Sequence, residues 1–339
     1  MRAAVFKGLG QPLVVEEVPD PQPGPTDLVL RVKSCGICGS DLHASCVPPG
    51  LPPGTVMGHE FAGEVVEVGA EVVGAWKAGD RICALPYIGC GCCAACLSGD
   101  GTLCSTIQAT GLGQIPGAYA EYVRVGAHES LRLPESLDFD AGATVEPLAV
   151  GLHAVRRSGL EPGANVLVLG AGPIGLATTL WARFFGARSV VVSEKAAGRL
   201  ERAAAFGATH GIDASKENVP GAFAKAAGGP PDIVFECVGV PGLLQECIMM
   251  APARARIVVV GVCMQPDTIF PVLAILKELS LHFVLGYHRD DFGFTLNMLD
   301  AERIACQAMI TDRVGLDGFS AAFEALKTPT TQCKVILNP

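Results

Sequence analysis

The stretch that decides the fold is Val166-Leu167-Val168-Leu169-Gly170-Ala171-Gly172-Pro173-Ile174-Gly175. It opens with four apolar residues, as in a strand buried on both faces, and closes with the pattern G-x-G-x-x-G before a helical run to Phe185. Such glycines allow a tight turn, close approach of the backbone to a pyrophosphate and close helix–strand packing. The helix N-terminus then offers N–H groups to the phosphates. The stretch predicts a dinucleotide site at Gly170, Gly172, Pro173, Ile174 and Gly175; the alternative is a glycine-rich turn without a ligand.

Further apolar strands follow this turn along the chain. They are Ser189–Val192, Asp232–Phe235 and Arg256–Val260, and helical segments separate them. Apolar strands that alternate with helices are typical of a parallel sheet covered on both faces. Residues 149–282 are therefore predicted to form a doubly wound nucleotide-binding domain.

Glu194 ends the second strand of this series, 19 residues after Gly175. A carboxylate at that place accepts hydrogen bonds from the ribose hydroxyls and repels a 2′-phosphate, which favours NAD over NADP. Lys195 and Arg199 lie close in sequence and can soften that repulsion, so Arg199 is included as a cofactor-binding candidate. The alternative for Glu194 is a solvated strand end.

Residues 1–148 have a different texture, with short alternating strands such as Leu28–Val32 and Gly63–Val68 between Pro- and Gly-rich turns. The last segment, residues 283–339, contains two helical stretches and a strand, Cys333–Leu337, and is too short to form a domain alone. We expect it to return to the N-terminal part. The sequence thus predicts an α/β protein of two domains, 1–148 with 283–339, and 149–282.

Composition excludes several functional classes. Half of the 339 residues are hydrophobic, 17% are charged and the formal net charge is −9, which argues against a disordered chain and a nucleic-acid partner. The N-terminus lacks the apolar run of a signal peptide, and glycines interrupt the longest uncharged stretch. We expect a cytoplasmic protein with no membrane partner.

Five of the 14 cysteines fall between Cys90 and Cys104. The spacing C-x₂-C-x₂-C-x₇-C of Cys90, Cys93, Cys96 and Cys104 predicts a closed tetrahedral zinc site, which leaves no position for a substrate and is therefore structural. Cys92 is an extra thiol that can in principle replace a neighbour. The alternative is a group of free thiols without a metal.

A second set of metal-ligand types is spread along the chain: Cys38, His59, Glu60 and Glu146. One Cys, one His and one carboxylate would hold Zn²⁺ and leave a fourth position open. From the residues alone, each of these side chains is more often structural than metal-binding.

The combination resembles the zinc-containing medium-chain dehydrogenases, the family of alcohol, sorbitol and threonine dehydrogenases. The resemblance covers nearly the whole chain and rests on five features: Cys38-Gly39-Ser40-Asp41-Leu42-His43, Gly58-His59-Glu60 with Gly63 and Gly69, the four-cysteine loop, Glu146-Pro147-Leu148 and the Gly170–Gly175 turn. It implies a GroES-like β-barrel catalytic domain beside the Rossmann domain, an active site in the cleft between them, and a homodimer or homotetramer. It also implies Cys38 and His59 as ligands of a catalytic zinc, with Glu146 or Glu60 as the third ligand. Which glutamate binds stays open.

The resemblance further implies hydride transfer between a secondary alcohol or polyol, or its ketone, and NAD. Ser40 and His43 resemble the residues that move the proton, Val150 one that packs beside the nicotinamide, and Lys334 a basic residue near the pyrophosphate; a solvated charge is the alternative for Lys334. Arg289 occupies the place of a substrate-site arginine, and loops near Tyr87 and Tyr119 are expected to line the pocket. The rival interpretations are a zinc-free NADPH-dependent enone or quinone reductase and a non-catalytic protein that binds NAD and zinc.

Overall fold

The computed structural model describes all residues from Met1 to Pro339. The strands are β1 Arg2–Val5, β2 Val14–Glu17, β3 Asp27–Gly36, β4 Glu60–Val68, β5 Arg81–Ala84, β6 Tyr87–Ile88, β7 Gln108–Ala109, β8 Tyr122–Gly126, β9 Ser130–Arg132, β10 Asn165–Leu169, β11 Ser189–Glu194, β12 His210–Asp213, β13 Ile233–Glu236, β14 Arg256–Val259, β15 Ser280–Phe283, β16 Ile310–Val314 and β17 Lys334–Leu337. The helices are α1 Gly39–Cys46, α2 Ala94–Leu97, α3 Phe139–Arg157, α4 Pro173–Phe184, α5 Ala197–Leu200, α6 Val219–Ala227, α7 Leu243–Met250, α8 Pro271–Leu276, α9 Arg289–Asp300 and α10 Leu316–Ala325. Short 3₁₀ turns lie at Gly101–Leu103, Glu201–Phe206 and Gln307–Met309.

The nucleotide-binding unit consists of Pro147–Gly286 and Pro329–Cys333. Its six strands pair in the order β12-β11-β10-β13-β14-β15, and every pairing is parallel. Every residue of β10 is buried, as a strand with helices on both faces requires. The first strand of the unit, β10, lies in the middle of the sheet, with β11 and β12 on one side and β13, β14 and β15 on the other. The predicted doubly wound parallel sheet is confirmed.

The catalytic unit consists of Met1–Glu146, Tyr287–Thr328 and Lys334–Pro339. A seven-stranded sheet runs β16-β17-β3-β4-β5-β9, and β8 pairs with β3. The long strand β3 pairs antiparallel with β4, β8 and β17, and therefore holds the C-terminal strand beside the N-terminal ones. Its buried side chains join a core to which α10 contributes Phe319 and Phe323.

The structure differs from the prediction in the chain positions that bound the two units and in one long helix. Residues through Gly286 stay with the nucleotide-binding unit because Val284 N–H bonds to Val259 O at the end of the sheet. The helix α3, Phe139–Arg157, contains the boundary between the units and was not predicted. None of the helices combines the length with the apolar character that a bilayer crossing requires.

Candidate functional site

Three of the four predicted catalytic-zinc ligands meet in the catalytic unit. Cys38 is the residue before α1, and His59 and Glu60 stand at the start of β4. The Cys38 sulfur, a His59 ring nitrogen and a Glu60 carboxylate oxygen all lie within 4.8 Å of one another. Gly58 makes the turn into this position with φ at +99°, and a side chain there would collide with Tyr119. The local backbone therefore depends on glycine to present the donors on one side.

His59 is oriented by a buried carboxylate. Its Nδ1 lies 3.3 Å from Asp41 Oδ1, and neither atom has another hydrogen-bond partner. The other Asp41 oxygen, Oδ2, accepts a hydrogen bond from the Tyr119 hydroxyl. Burial lowers the pKa of His59, but the charges of Asp41 and Cys38 outweigh that effect and raise it well above its usual value. A carboxylate at Nδ1 directs the Nε2 lone pair outward, as in histidines that bind zinc.

Glu60 is bound by a lysine from the C-terminal strand. Lys334 Nζ lies 2.7 Å from Oε1 and 2.5 Å from Oε2 of Glu60, and it also donates to the carbonyl of Ile37 at 2.9 Å. Both side chains are fully buried. A side chain at Gly36 would collide with Glu60 and crowd Lys334. Glycine at position 36 therefore leaves the space that this ion pair occupies.

Glu146 lies in α3 and faces the same set of charges. Burial raises the pKa of its carboxyl to about 7; His59 lowers it, Glu60 raises it and Lys334 lowers it. Its carboxylate is not within the 4.8 Å group of Cys38, His59 and Glu60. The structure therefore brings Glu146 into the electrostatic surroundings of the site as a neighbour of the three donors.

The donor set fits a zinc ion. A thiol, an imidazole and the Glu60 carboxylate converge, and Glu146 is close enough to feel their charges. Lys334 pairs with Glu60. The orphaned pair His59 Nδ1 and Asp41 Oδ1 fixes the ring so that its other nitrogen is available. Sulfur, nitrogen and carboxylate oxygen are the ligand types zinc accepts, and a divalent cation would offset the burial of these acids.

The two proton-relay candidates lie on α1. Ser40 Oγ donates a hydrogen bond to Cys38 Sγ at 3.2 Å, and His43 follows three positions later on the same helix face. Both side chains are partly exposed. Ser40 is therefore beside a metal donor, and His43 lies one turn further along the helix.

The cysteine loop forms a second donor group. The sulfurs of Cys90, Cys93, Cys96 and Cys104 lie within 4.8 Å of one another, and Cys92 is not part of the group. Backbone N–H groups of Cys92 and Cys93 lower the pKa of Cys90 to about 5, whereas burial raises that of Cys96 to about 12. Four sulfurs this close together are compatible with tetrahedral coordination and fit a closed structural zinc site.

The glycine turn has the geometry that a dinucleotide needs. Gly170 adopts φ +98°, and a side chain at Gly175 would collide with the carbonyl of Gly170. Gly172 caps α4 and Pro173 is its first residue, so the first turn of the helix has N–H groups without helical partners. Ile174 is half-buried on the same turn, and Val150 is half-buried on α3.

Glu194 and Arg199 lie at this turn in the nucleotide-binding unit. Glu194 Oε2 accepts a hydrogen bond from Ala171 N at 2.9 Å, and Oε1 accepts from Lys195 N and Ala196 N. If position 172 carried a Cβ, that atom would lie 2.7 Å from Arg199 Nη2, so the guanidinium lies directly beside Gly172. The buried Nε of Arg199 has no hydrogen-bond partner. A carboxylate and a guanidinium thus both border the turn.

The structure also places several other residues that the sequence singled out. Cys92 does not replace a neighbour in the metal cluster, and Lys334 is not a solvated charge, since it is 1% exposed against Glu60. Arg289 begins α9 and lines a small cavity with Tyr87, Cys96 and Glu129, so it belongs to the surroundings of the cysteine loop. Tyr87 is also buried there.

Tyr119 and Asp41 form a buried contact behind His59 that the sequence did not predict. Tyr119 does not line a pocket; it is fully buried, packs on Phe319 at 4.6 Å between ring centroids and donates to Asp41. The only sequence signal was the position of Asp41 inside the motif that carries Cys38 and Ser40. No local pattern connects Tyr119 with it.

Fold and site together define a metal-dependent oxidoreductase that uses a dinucleotide. Comparison with known proteins agrees: residues 24–135 match the family described as "Alcohol dehydrogenase GroES-like domain", and residues 173–301 match "Zinc-binding dehydrogenase". The chain is 33% identical to sorbitol dehydrogenase of Gallus gallus over 322 residues, which is 93% of this chain and 90% of the relative.

Solved structures give the same result. The 2R,3R-butanediol dehydrogenase of Bacillus subtilis matches with a TM-score of 0.87 at 32% identity, covering 100% of this chain and 99% of the other. A zinc-binding dehydrogenase of Sinorhizobium meliloti 1021, bound to NADP, matches with a TM-score of 0.88 at 34% identity and the same coverage. The chain belongs to the zinc-dependent medium-chain alcohol dehydrogenase family, and it is a dehydrogenase that acts on a small molecule with zinc and a nicotinamide dinucleotide.

Proposed function

We propose that this protein transfers hydride between a secondary alcohol or polyol and NAD, with Cys38, His59 and a glutamate holding the catalytic zinc. The observation that carries the proposal is the approach of Cys38 and His59, with two acids beside them: Glu60 within 4.8 Å and Glu146 among the same charges. Asp41 holds the His59 ring. Sorbitol and (R,R)-butanediol, which appear in the names of relatives, both carry neighbouring hydroxyl groups. They support a vicinal diol or polyol as the substrate class.

Glu146 is the better third ligand of the two glutamates. Both oxygens of Glu60 are already bonded to Lys334, so binding a metal there would require this buried ion pair to rearrange. No buried ion pair of this kind holds Glu146, which lies among the same charges. Metal analysis of Glu146→Ala and Glu60→Ala should show the larger loss of zinc in the Glu146 variant; a larger loss in the Glu60 variant reverses the assignment.

Ser40 and His43 carry the proton away from the substrate. Zinc bound at this centre supplies Lewis acidity, which makes an alcohol hydroxyl easier to deprotonate. The Ser40 hydroxyl, 3.2 Å from Cys38 Sγ, is placed to accept a hydrogen bond from that hydroxyl and to pass the proton on. His43 stands one helical turn further along α1 and is partly exposed, so it can pass the proton on to solvent. Cys38→Ser should remove one zinc per chain and reduce turnover more than about 100-fold while NADH binding remains; unchanged activity contradicts the metal assignment.

The glycine turn at Gly170–Gly175 receives the pyrophosphate, Val150 packs beside the nicotinamide, and Glu194 selects NAD. Glu194 repels a 2′-phosphate, although Arg199 at Gly172 offers that group a guanidinium. A preference for NADP is therefore the second candidate, and the relative bound to NADP supports it. Steady-state rates with NAD and NADP decide between them. Glu194→Ala should shift the ratio towards NADP, and an unaltered ratio contradicts the role of Glu194.

An assay panel tests the substrate class. Secondary alcohols, vicinal diols and sugar alcohols, each with NAD, should give NADH absorbance, with the diols or polyols fastest. Reduction of enones or quinones by a zinc-free protein would favour the reductase interpretation. Two zincs per chain without turnover on any of these substrates would favour a binding protein.

The oligomer is proposed to form through the free edge of the parallel sheet. Strand β15 ends the strand order, and nearby Phe270, Ile275, Leu276, Phe283 and Leu285 are between 62% and 75% exposed. Edge strands without lysine or proline pair readily with another strand, and large exposed apolar patches mark interfaces. A second copy that pairs across this edge would cover both. Leu285→Glu should lower the molar mass measured by light scattering, and an unchanged mass contradicts this interface.

The 14 cysteines support the cytoplasm as the compartment. All of them are free thiols in the structure, and thiols persist in a reducing environment. Fractionation with a compartment marker tests this assignment.

A further inference from the structure

The cysteine loop holds a fifth thiol that the metal cluster does not use. Cys92 Sγ lies 3.7 Å from Cys90 Sγ, whereas Cys92 is outside the group formed by Cys90, Cys93, Cys96 and Cys104. Both Cys90 and Cys92 are exposed. An exposed thiol is therefore in van der Waals contact with the sulfur of a metal ligand.

The backbone brings these two sulfurs together. Gly91, between them, adopts φ +71°, and a Cβ there would meet nothing within 4 Å. Since only glycine adopts this conformation without strain, Gly91 reverses the chain so that Cys92 faces back towards Cys90. Cys93 N–H also points at Cys90 Sγ at 3.3 Å and completes the turn. A bond between the two sulfurs requires side-chain movement at an exposed turn and no movement of a buried element.

We propose that Cys90 and Cys92 form a reversible disulfide that removes one ligand from the structural zinc and releases it. The oxidant is hydrogen peroxide. The Cys92 thiolate attacks its O–O bond, which yields a sulfenic acid on Cys92 and hydroxide. The Cys90 thiolate then attacks the Cys92 sulfur and displaces a second hydroxide. Two electrons thus leave the sulfurs, and two protons from solvent convert the two hydroxides to water.

The consequence follows from the ligand count. After oxidation three thiolates remain, on Cys93, Cys96 and Cys104, and a closed four-coordinate site becomes incomplete. Because zinc binding and folding of such a loop are coupled, loss of one ligand weakens both. A dithiol reductant with added zinc restores the site. This inference rests on the proposal that the cysteine loop of this dehydrogenase holds a structural zinc.

The experiment uses the purified holoprotein and hydrogen peroxide as the probe. Zinc content is measured first, released zinc is followed with a chromogenic chelator, and the oxidised peptides are mapped by mass spectrometry. We expect one zinc per chain to be released together with a Cys90–Cys92 disulfide, and Cys38 to remain alkylatable. Cys92→Ser should need about tenfold more peroxide for the same release, whereas Cys46→Ser, at an exposed thiol outside the loop, should behave like the unmodified chain.

Three results overturn the inference. They are equal zinc release from the Cys92→Ser and unmodified proteins, a disulfide that joins other cysteines, and release that accompanies oxidation of Cys38. If the protein holds two zincs per chain before treatment, any of these results rules out the redox pair alone and does not affect the proposed function. An active chain that is purified with no zinc in the cysteine loop contradicts the structural zinc and the inference together.

Discussion

Lys334→Met tests the charge balance of the metal site. In the metal-depleted protein this change removes the ammonium that both Glu60 oxygens contact at 2.7 and 2.5 Å, and both side chains are fully buried. Removing one partner of a buried pair leaves an uncompensated charge, which costs about 3–5 kcal/mol of unfolding free energy. At about 2–4 °C per kcal/mol, the melting temperature should fall by about 6–20 °C.

Lys33→Met is the matched control. Lys33 Nζ lies 3.0 Å from Glu64 Oε2 across the pair of strands β3 and β4, but both side chains are 34% exposed. A solvated pair of this kind contributes about 0–1 kcal/mol. The difference in lost stability between the two lysine variants therefore measures the effect of burial, because the substitution and the type of partner are the same.

Zinc and a second substitution complete the test. In Lys334→Met the carboxylate of Glu60 lies unpaired beside Cys38 and His59, so added zinc should raise the melting temperature of the variant more than that of the unmodified chain. Adding Glu60→Gln should restore most of the lost stability, since the remaining side chain is neutral. Thermal unfolding by circular dichroism, with and without a chelator, measures each step. A loss below about 1 kcal/mol in Lys334→Met, equal to that of Lys33→Met, refutes the reasoning.

Three further predictions concern the same units. Tyr119→Phe removes the hydroxyl that donates to Asp41, and it should weaken zinc affinity or turnover by about 10–100-fold and cost about 1–3 kcal/mol of stability; unaltered zinc affinity and rate would show that the hydroxyl does not position Asp41. In metal-depleted protein, the pKa of Glu146 is raised by burial from 4.5 to about 7, so the folded state holds the proton more tightly and stability should fall as pH rises from about 4.5 to about 7, by about 3 kcal/mol. Glu146→Gln should flatten that dependence, and an identical pH profile in the variant contradicts it. Lys277→Met removes three hydrogen bonds to the carbonyls of Ile248, Met249 and Ala251 at the end of α7, and should cost about 1–3 kcal/mol in chemical denaturation; a neutral result means that water replaces the ammonium there.

The dinucleotide turn could be predicted because its chemistry is local. The strand, the three glycines and the first turn of α4 are consecutive, and each glycine has a steric reason that the pattern already contains. The metal site of the four clustered cysteines could be predicted equally well, because their short spacing along the chain brings the sulfurs together. The dispersed donors Cys38 and His59 needed the family pattern.

The helix α3 could not be predicted, because its sequence carries signals that normally end a helix. Pro147 lies in its interior, and glycines stand at positions 142 and 151. Packing explains both glycines: a Cβ at Gly142 would collide with Ala62, and one at Gly151 would collide with the backbone of Ala177 and Thr178. Tertiary contacts thus overrule propensity there.

Long-range pairs were also beyond sequence reasoning. Lys334 and Glu60 are separated by 274 positions, and Tyr119 and Asp41 by 78. From the sequence alone, each of these side chains could equally occupy an ordinary position on the surface or in the core. Only the strand pairings of the folded sheet bring the partners together. The family pattern located Glu60 without showing which cation balances it.

The position of β17 has a consequence for biosynthesis. Cys38, His59 and Glu60 leave the ribosome early, but the strand that borders β3 and delivers the balancing ammonium follows after the whole nucleotide-binding unit has been translated. At about 5–20 residues per second, the N-terminal sheet waits on the order of 15–55 s for its neighbour. During that interval the edge of β3 and a buried acid are both unprotected, so the nascent chain is most exposed to misfolding and chaperone capture before its last strand arrives.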